Sequence, residues 1–131
     1  MDCAQKVIDV VVSHARREAP AECCGVLIGD AAAIAEALPT GNLSENPNRF
    51  LIDPKGHLDA LRQARALGLD VIGFYHSHPH TAARPSERDL AEVSYPDLLM
   101  MIVSVQSASA DVQVFRMAGD RFAEVPISST G

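Results

Sequence analysis

The stretch G-F-Y-H-S-H-P-H-T-A-A-R-P-S-E-R-D, residues 73–89, holds two histidines one residue apart, then a serine and an aspartate beyond a proline-containing loop. Side chains of an extended chain alternate faces, so His76 and His78 point the same way and can grip one cation. Ser86 follows Pro85 and reads as a helix N-cap, with Glu87, Arg88 and Asp89 as the first turn. Its hydroxyl and the Asp89 carboxylate then share the mouth of that helix. Two imidazoles, one carboxylate and an open fourth position are the pattern of a catalytic zinc site rather than a closed structural one. Plainer roles exist for each residue taken singly. Asp89 can complement the helix dipole for roughly 0.3–1 kcal/mol, and Ser86 can act only as a cap, worth about 1 kcal/mol. His80 leaves the pattern because Pro79 redirects the chain. Taken together, the four residues point to a zinc hydrolase.

Outward from this stretch, residues 70–76 are apolar on both faces through Val71, Ile72, Phe74 and Tyr75, as in a central strand. Upstream, Asp53-Pro54 is a cap followed by a first-turn proline. The helix it starts runs to about Leu67, buries Leu58, Leu61, Ala64 and Leu67, and ends at Gly68. Residues 49–52 read as a short strand and 39–48 as a loop rich in turn formers. Residues 22–29 form an apolar strand, with 33–38 as its hairpin partner. Residues 3–18 make an amphipathic helix capped by Asp2 and ended by Pro20.

Downstream of the site, a short helix runs from Ser86 to about Ser94, and residues 98–105 form a second apolar strand. Residues 111–117 and 121–125 make a hairpin about Ala118-Gly119-Asp120. Residues 128–131 read as a loose tail. The fold class is therefore α/β: a single layered domain, residues 1–127, with a curved mixed sheet flanked by helices.

The chain of 131 residues has room for one core, and 47% apolar against 21% charged residues argues against disorder. A net charge of −6 without a basic run repels phosphate backbones and argues against nucleic acid as partner. The strongest apolar run, residues 98–103, is far short of the roughly 20 residues that span a bilayer, so no membrane is expected. No targeting segment is read at the N-terminus, where Asp9 interrupts the one apolar candidate. Cys3, Cys23 and Cys24 are an odd count that fits free thiols in the cytoplasm.

Hydrolysis also needs a proton carrier. Glu22 is a candidate because it precedes an apolar strand, where a carboxylate is unusual unless it faces a cavity; burial there raises its pKa toward the working range. Glu18, Glu36, Glu45 and Glu92 are rivals. A cysteine nucleophile, Cys24 or Cys23 with His76 or His78 as base, is a second chemistry. It leaves one histidine redundant and relies on thiols in a strand, where they are usually inert. A nucleobase deaminase lacks its P-C-x-x-C zinc ligands here.

The arrangement Glu22 … His76-Ser77-His78, seven residues, Ser86, two residues, Asp89 resembles the E…H-[ST]-H-x7-S-x2-D signature of the JAMM (MPN-plus) zinc metalloproteases. The similarity extends through A-E-C-C-G-V-L-I-G and F-L-I-D-P to the C-terminal strands. It implies a JAMM/MPN fold with cytidine-deaminase-like layering and one Zn²⁺ per chain held by His76, His78 and Asp89. It implies Glu22 as general acid/base and Ser86 as the residue that steadies the oxyanion. Family members cut after the C-terminal Gly-Gly of ubiquitin or ubiquitin-like proteins. This compact chain is more similar to stand-alone prokaryotic members, some of which release cysteine or a residual tail from a ubiquitin-like sulfur carrier protein. The implied partner is such a carrier, with a deubiquitinase-like isopeptidase or a non-catalytic interaction module as alternatives, and a homodimer compatible with either.

Overall fold

A computed structural model describes residues 1–91 and 95–131. The first eight elements in chain order are β1 (Asp2–Ala4), α1 (Gln5–Glu18), β2 (Cys24–Gly29), β3 (Ala33–Thr40), α2 (Pro54–Ala66), β4 (Asp70–His78), α3 (Glu87–Ala91) and β5 (Leu99–Ser104). The last three are β6 (Asp111–Ala118), β7 (Arg121–Glu124) and β8 (Ser128–Thr130). The strands form one mixed sheet in the order β7-β6-β5-β4-β2-β3-β1-β8, with β4 central as its two-sided apolar pattern requires. It pairs antiparallel with β2 and parallel with β5. Register shifts on both sides of β2 bend the sheet, so that it curves around its helices.

The two sheet faces are covered differently. On one, α1 buries Val7, Val11 and Ala15 against Leu27, Tyr75, Met101 and Val103. Gly25 is needed there because a Cβ would stand 2.2 Å from the Tyr75 ring, which lies over it. On the other face α2 packs Ala60 and Ala64 against Val26 and Ile28. Further along that face Ala83 packs with Ile102 and Phe115. The histidines emerge on this second face.

Several expectations are corrected. Asp2 is not a cap: residues 2–4 pair in parallel with β3 and β8, and α1 starts after Ala4 without a side-chain cap. On α2, Leu58, Leu61 and Leu67 are exposed, and only Ala64 of the expected set is buried. Small residues let the helix backbone approach the sheet closely, and this outweighs the larger leucine area. Asp53 does cap α2, accepting from Lys55 N at 3.0 Å, and Gly68 terminates it at φ +69°. Residues 49–52 do not form a strand, contributing only an isolated bridge between Asn42 and Ile52. The Asn42 amide serves as the partner there, accepting from Leu51 N at 2.9 Å and donating to the Arg49 carbonyl at 3.0 Å.

At the far end, residues 128–130 are not a loose tail but an edge strand on β1. α3 spans Glu87–Ala91, and residues 92–94 of the longer helix expected there, Glu92 included, lie outside the described residues.

Candidate metal centre

Alternation along β4 separates its side chains by face. Tyr75 and Ser77 turn toward the α1 side, where Tyr75 Oη lies 2.7 Å from His14 Nδ1 and Ser77 Oγ accepts from Cys23 N at 2.8 Å. Phe74, His76 and His78 turn the other way. The Phe50 ring stacks on His76 with centroids 4.3 Å apart and planes 15° apart, fixing the imidazole plane. His78 is fixed differently. Its Nδ1 lies 2.9 Å from the Ala82 carbonyl, which can only accept, so Nδ1 carries the proton and Nε2 presents its lone pair inward.

Asp89 comes from α3. Its backbone N–H donates to Ser86 Oγ at 3.0 Å, while Asp89 Oδ2 accepts from Ser86 N at 2.8 Å. This reciprocal cap sets the carboxylate against the strand. Asp89 Oδ1 lies 3.1 Å from His76 Nε2 and Oδ2 lies 3.3 Å from His78 Nε2, with the two Nε2 atoms 3.2 Å apart. His76, His78 and Asp89 are all buried and form a group that could hold a metal ion. The separations fit a cation: donors bonded at 2.0–2.1 Å around a tetrahedral centre stand about 3.3 Å from one another. His80 is exposed and outside this group.

The electrostatics agree with that donor set. Burial pushes the Asp89 carboxyl up, but hydrogen bonds from His76, His78 and the Ser86 N–H hold it well below the usual carboxylate range. Burial lowers His76 further than Asp89 raises it. His78 is also buried, yet Asp89 and the Ala82 carbonyl raise it overall, with a smaller push from the Glu22 charge. Ionised Asp89 and neutral His76 are in the state a divalent cation requires, and a cation would have to displace the proton that Asp89 favours on His78.

The group opens on two cavities. One, of about 540 Å³, touches His76 and Asp89 and is walled by Phe50, Ile52, Phe74, Met100 and Phe122. The other, of about 550 Å³, touches His78 and Asp89 and is lined by Glu22, Ser86, Arg49 and Arg88. Half-buried Glu22 is held at its backbone: its N–H donates to the Pro47 carbonyl at 2.8 Å and its carbonyl accepts from Asn42 Nδ2 at 3.0 Å. Sequence reasoning thus named every residue of the buried group and the two polar groups beside it. It missed Phe50, whose signal was an aromatic among turn formers, and the Ala82 carbonyl, which has none.

The cysteines are placed away from this chemistry. Cys23 faces the α1 core, across the sheet from the histidines, and burial pushes its thiol up to about 11. Cys24 shares the His76 side, but it is fully buried, its Sγ lies 3.5 Å from Thr40 Oγ1, and its pKa is raised by burial. Neither is a poised nucleophile.

A single mixed sheet and a short helix that together deliver two imidazoles and a carboxylate to a cavity mouth define a class, and comparison with known proteins identifies it. The model of the prokaryotic homologs of the JAB domain matches residues 4–118. Desampylase of Haloferax volcanii is 34% identical, covering 92% of this chain and 89% of its own. The CysO-cysteine peptidase of Mycobacterium tuberculosis is 27% identical over 93% and 86%. A solved protein of Desulfitobacterium hafniense superposes with a TM-score of 0.90 at 30% identity, covering 99% and 93%. The class is the JAMM-type hydrolases, and the protein is a protease of that type. The chain belongs to the family of prokaryotic homologs of the JAB domain.

Proposed function

We propose that this protein is a zinc-dependent peptidase that cuts after the C-terminal Gly-Gly of a ubiquitin-like protein. A sulfur carrier extended by a single amino acid, such as a carrier–cysteine adduct, is its substrate. The observation that carries the reading is the buried His76–His78–Asp89 group, with donor separations of 3.1–3.3 Å, beside a cavity that also holds Glu22 and Ser86. The relatives named desampylase and CysO-cysteine peptidase support the substrate class.

His76, His78 and Asp89 would hold the zinc, which when bound supplies a Lewis acid for the scissile carbonyl and brings the pKa of water to about 7. Glu22 takes a proton from the attacking water and delivers it to the leaving nitrogen as the C–N bond breaks. The water oxygen stays on the glycyl carbon, which leaves as a carboxylate. The Ser86 hydroxyl donates to the carbonyl oxygen as negative charge gathers on it. Free thiols at Cys3, Cys23 and Cys24 suit the cytoplasm as its compartment.

The test is metal content and turnover in one pair of proteins. The wild-type chain should bind one zinc per chain and cleave the adduct in an o-phenanthroline-sensitive way, and Glu22→Ala should keep the zinc while losing turnover. A Glu22→Ala protein without zinc would make Glu22 a ligand, and a zinc-loaded wild type that cuts no Gly-Gly adduct would leave the chain a binding module.

A further inference from the structure

The two cavities meeting at the buried group are chemically unlike, and the difference bears on what leaves after the scissile bond. Among the described residues the apolar one has no lysine or arginine along it, whereas Arg49 and Arg88 line the polar one. Both arginines line the same space as Glu22, the group that in the mechanism above meets the leaving nitrogen. The leaving group therefore belongs in the polar cavity and the apolar side receives the carrier's tail. We infer that Arg49 and Arg88 recognise the free α-carboxylate of an amino acid leaving group, selecting a C-terminal α-linked adduct over an isopeptide.

Four observations support this. Two cations at one cavity are unexpected on a chain with 11 basic against 17 acidic residues. Arg88 is held there: one guanidinium nitrogen, Nη1, donates to the Asn48 carbonyl at 3.1 Å, tying α3 to the loop that carries Arg49. A guanidinium has five N–H donors, so that bond leaves an edge able to meet a carboxylate. Finally, the carboxylate carbon of an amino acid is two bonds from its nitrogen, whereas the nitrogen of a lysine isopeptide is attached to a four-carbon apolar stem. Only the former brings an anion into a cavity lined by arginines. Glu87 and Asp89 also border this cavity, but Asp89 is engaged by His76, His78 and the Ser86 N–H, and a carboxylate finds its opposite charge at the arginines. After cleavage the new ammonium faces Glu22 and the carboxylate the arginines.

This inference rests on the peptidase reading, and the experiment separates the two. Fluorescein-labelled octapeptides ending Gly-Gly-Ala, as free acid and as carboxamide, and a third carrying lysine on the terminal glycine through its ε-nitrogen, are offered to the zinc-loaded protein. Binding is read by anisotropy in the Glu22→Gln background, which holds substrate without turning it over, and cleavage by mass spectrometry in the wild type. The acid should bind at least about tenfold more tightly than the amide, the size expected of a hydrogen bond to a charged group. Arg49→Gln combined with Arg88→Gln should bring the acid down to parity with the amide, with zinc content measured in the same protein so that a lost preference is read only from a metal-loaded site. Equal affinity for acid and amide in the parent, or a preference that survives both substitutions, would overturn the inference. Failure to cut any of the three peptides would instead strike the peptidase reading beneath it.

Discussion

At the scale of single residues, the centre is built from side chains with two duties. Ser86 caps α3 through the Asp89 N–H and, in the proposed mechanism, donates to the developing oxyanion. The duties separate by experiment. Ser86→Ala should lower kcat by about 10²- to 10³-fold, the loss seen for one oxyanion donor. It should cost only about 1 kcal/mol of stability as a lost cap. Kinetics on the zinc-loaded variant, alongside urea unfolding, give both numbers. If kcat falls only as far as the folded fraction does, Ser86 is a cap and nothing more. Its partner Asp89 was legible for the same reason: S-x-x-D encodes the turn that aims the carboxylate. Phe50 was not legible, because its stacking on His76 joins residues 26 positions apart through a loop whose path no local pattern sets.

At the scale of elements, α2 shows how periodicity identifies a helix without showing which face it buries. Apolar residues recur at 58, 61, 64 and 67, yet the sheet takes Ala60 and Ala64, and Leu58 and Leu61 are each 47% exposed. A stability comparison tests that orientation. Leu61→Gln should change unfolding free energy by no more than about 0.5 kcal/mol, the usual range for surface positions. Ala60→Leu should cost roughly 1–3 kcal/mol, because it forces methylenes into a closed interface. The reverse ranking would mean that the helix packs on its leucines. Asn42 shows a different limit of local reading: its side chain supplies hydrogen bonds that a neighbouring strand would have supplied, so residues 49–52 look like a strand and are not one.

At the scale of the whole molecule, the α1 side stores a set of buried neutral groups. Burial pushes Cys3 and Cys23 up to about 11 from an ordinary 9.0 and raises Tyr75 further above its ordinary 10.0. In the unfolded chain these thiols lose their protons near pH 9, and in the fold near pH 11. Between those values the unfolded state binds fewer protons, so stability is full below about pH 9 and declines as pH rises toward 11. Thermal melts from pH 8 to 10.5 should show Tm falling, and Cys23→Ala should flatten the decline. A Tm that holds across that range would mean the thiols are not shielded as the structure places them. Among the described residues no helix is long and apolar enough to cross a membrane.

What the sequence determined by itself was chemistry of short range. The i, i+2 spacing of His76 and His78 sets them on one face of a strand, and the cap at Ser86 places Asp89 in the first turn of a helix, since both follow from backbone geometry within a few residues. Only the tertiary structure decided that β4 and α3 bring those atoms to within 3.1–3.3 Å, that Glu22 and the arginines share their cavity, and that Asp2 and residues 128–130 extend the sheet at its edge. Those contacts join distant parts of the chain, and their selection depends on how whole faces pack, which no local pattern records.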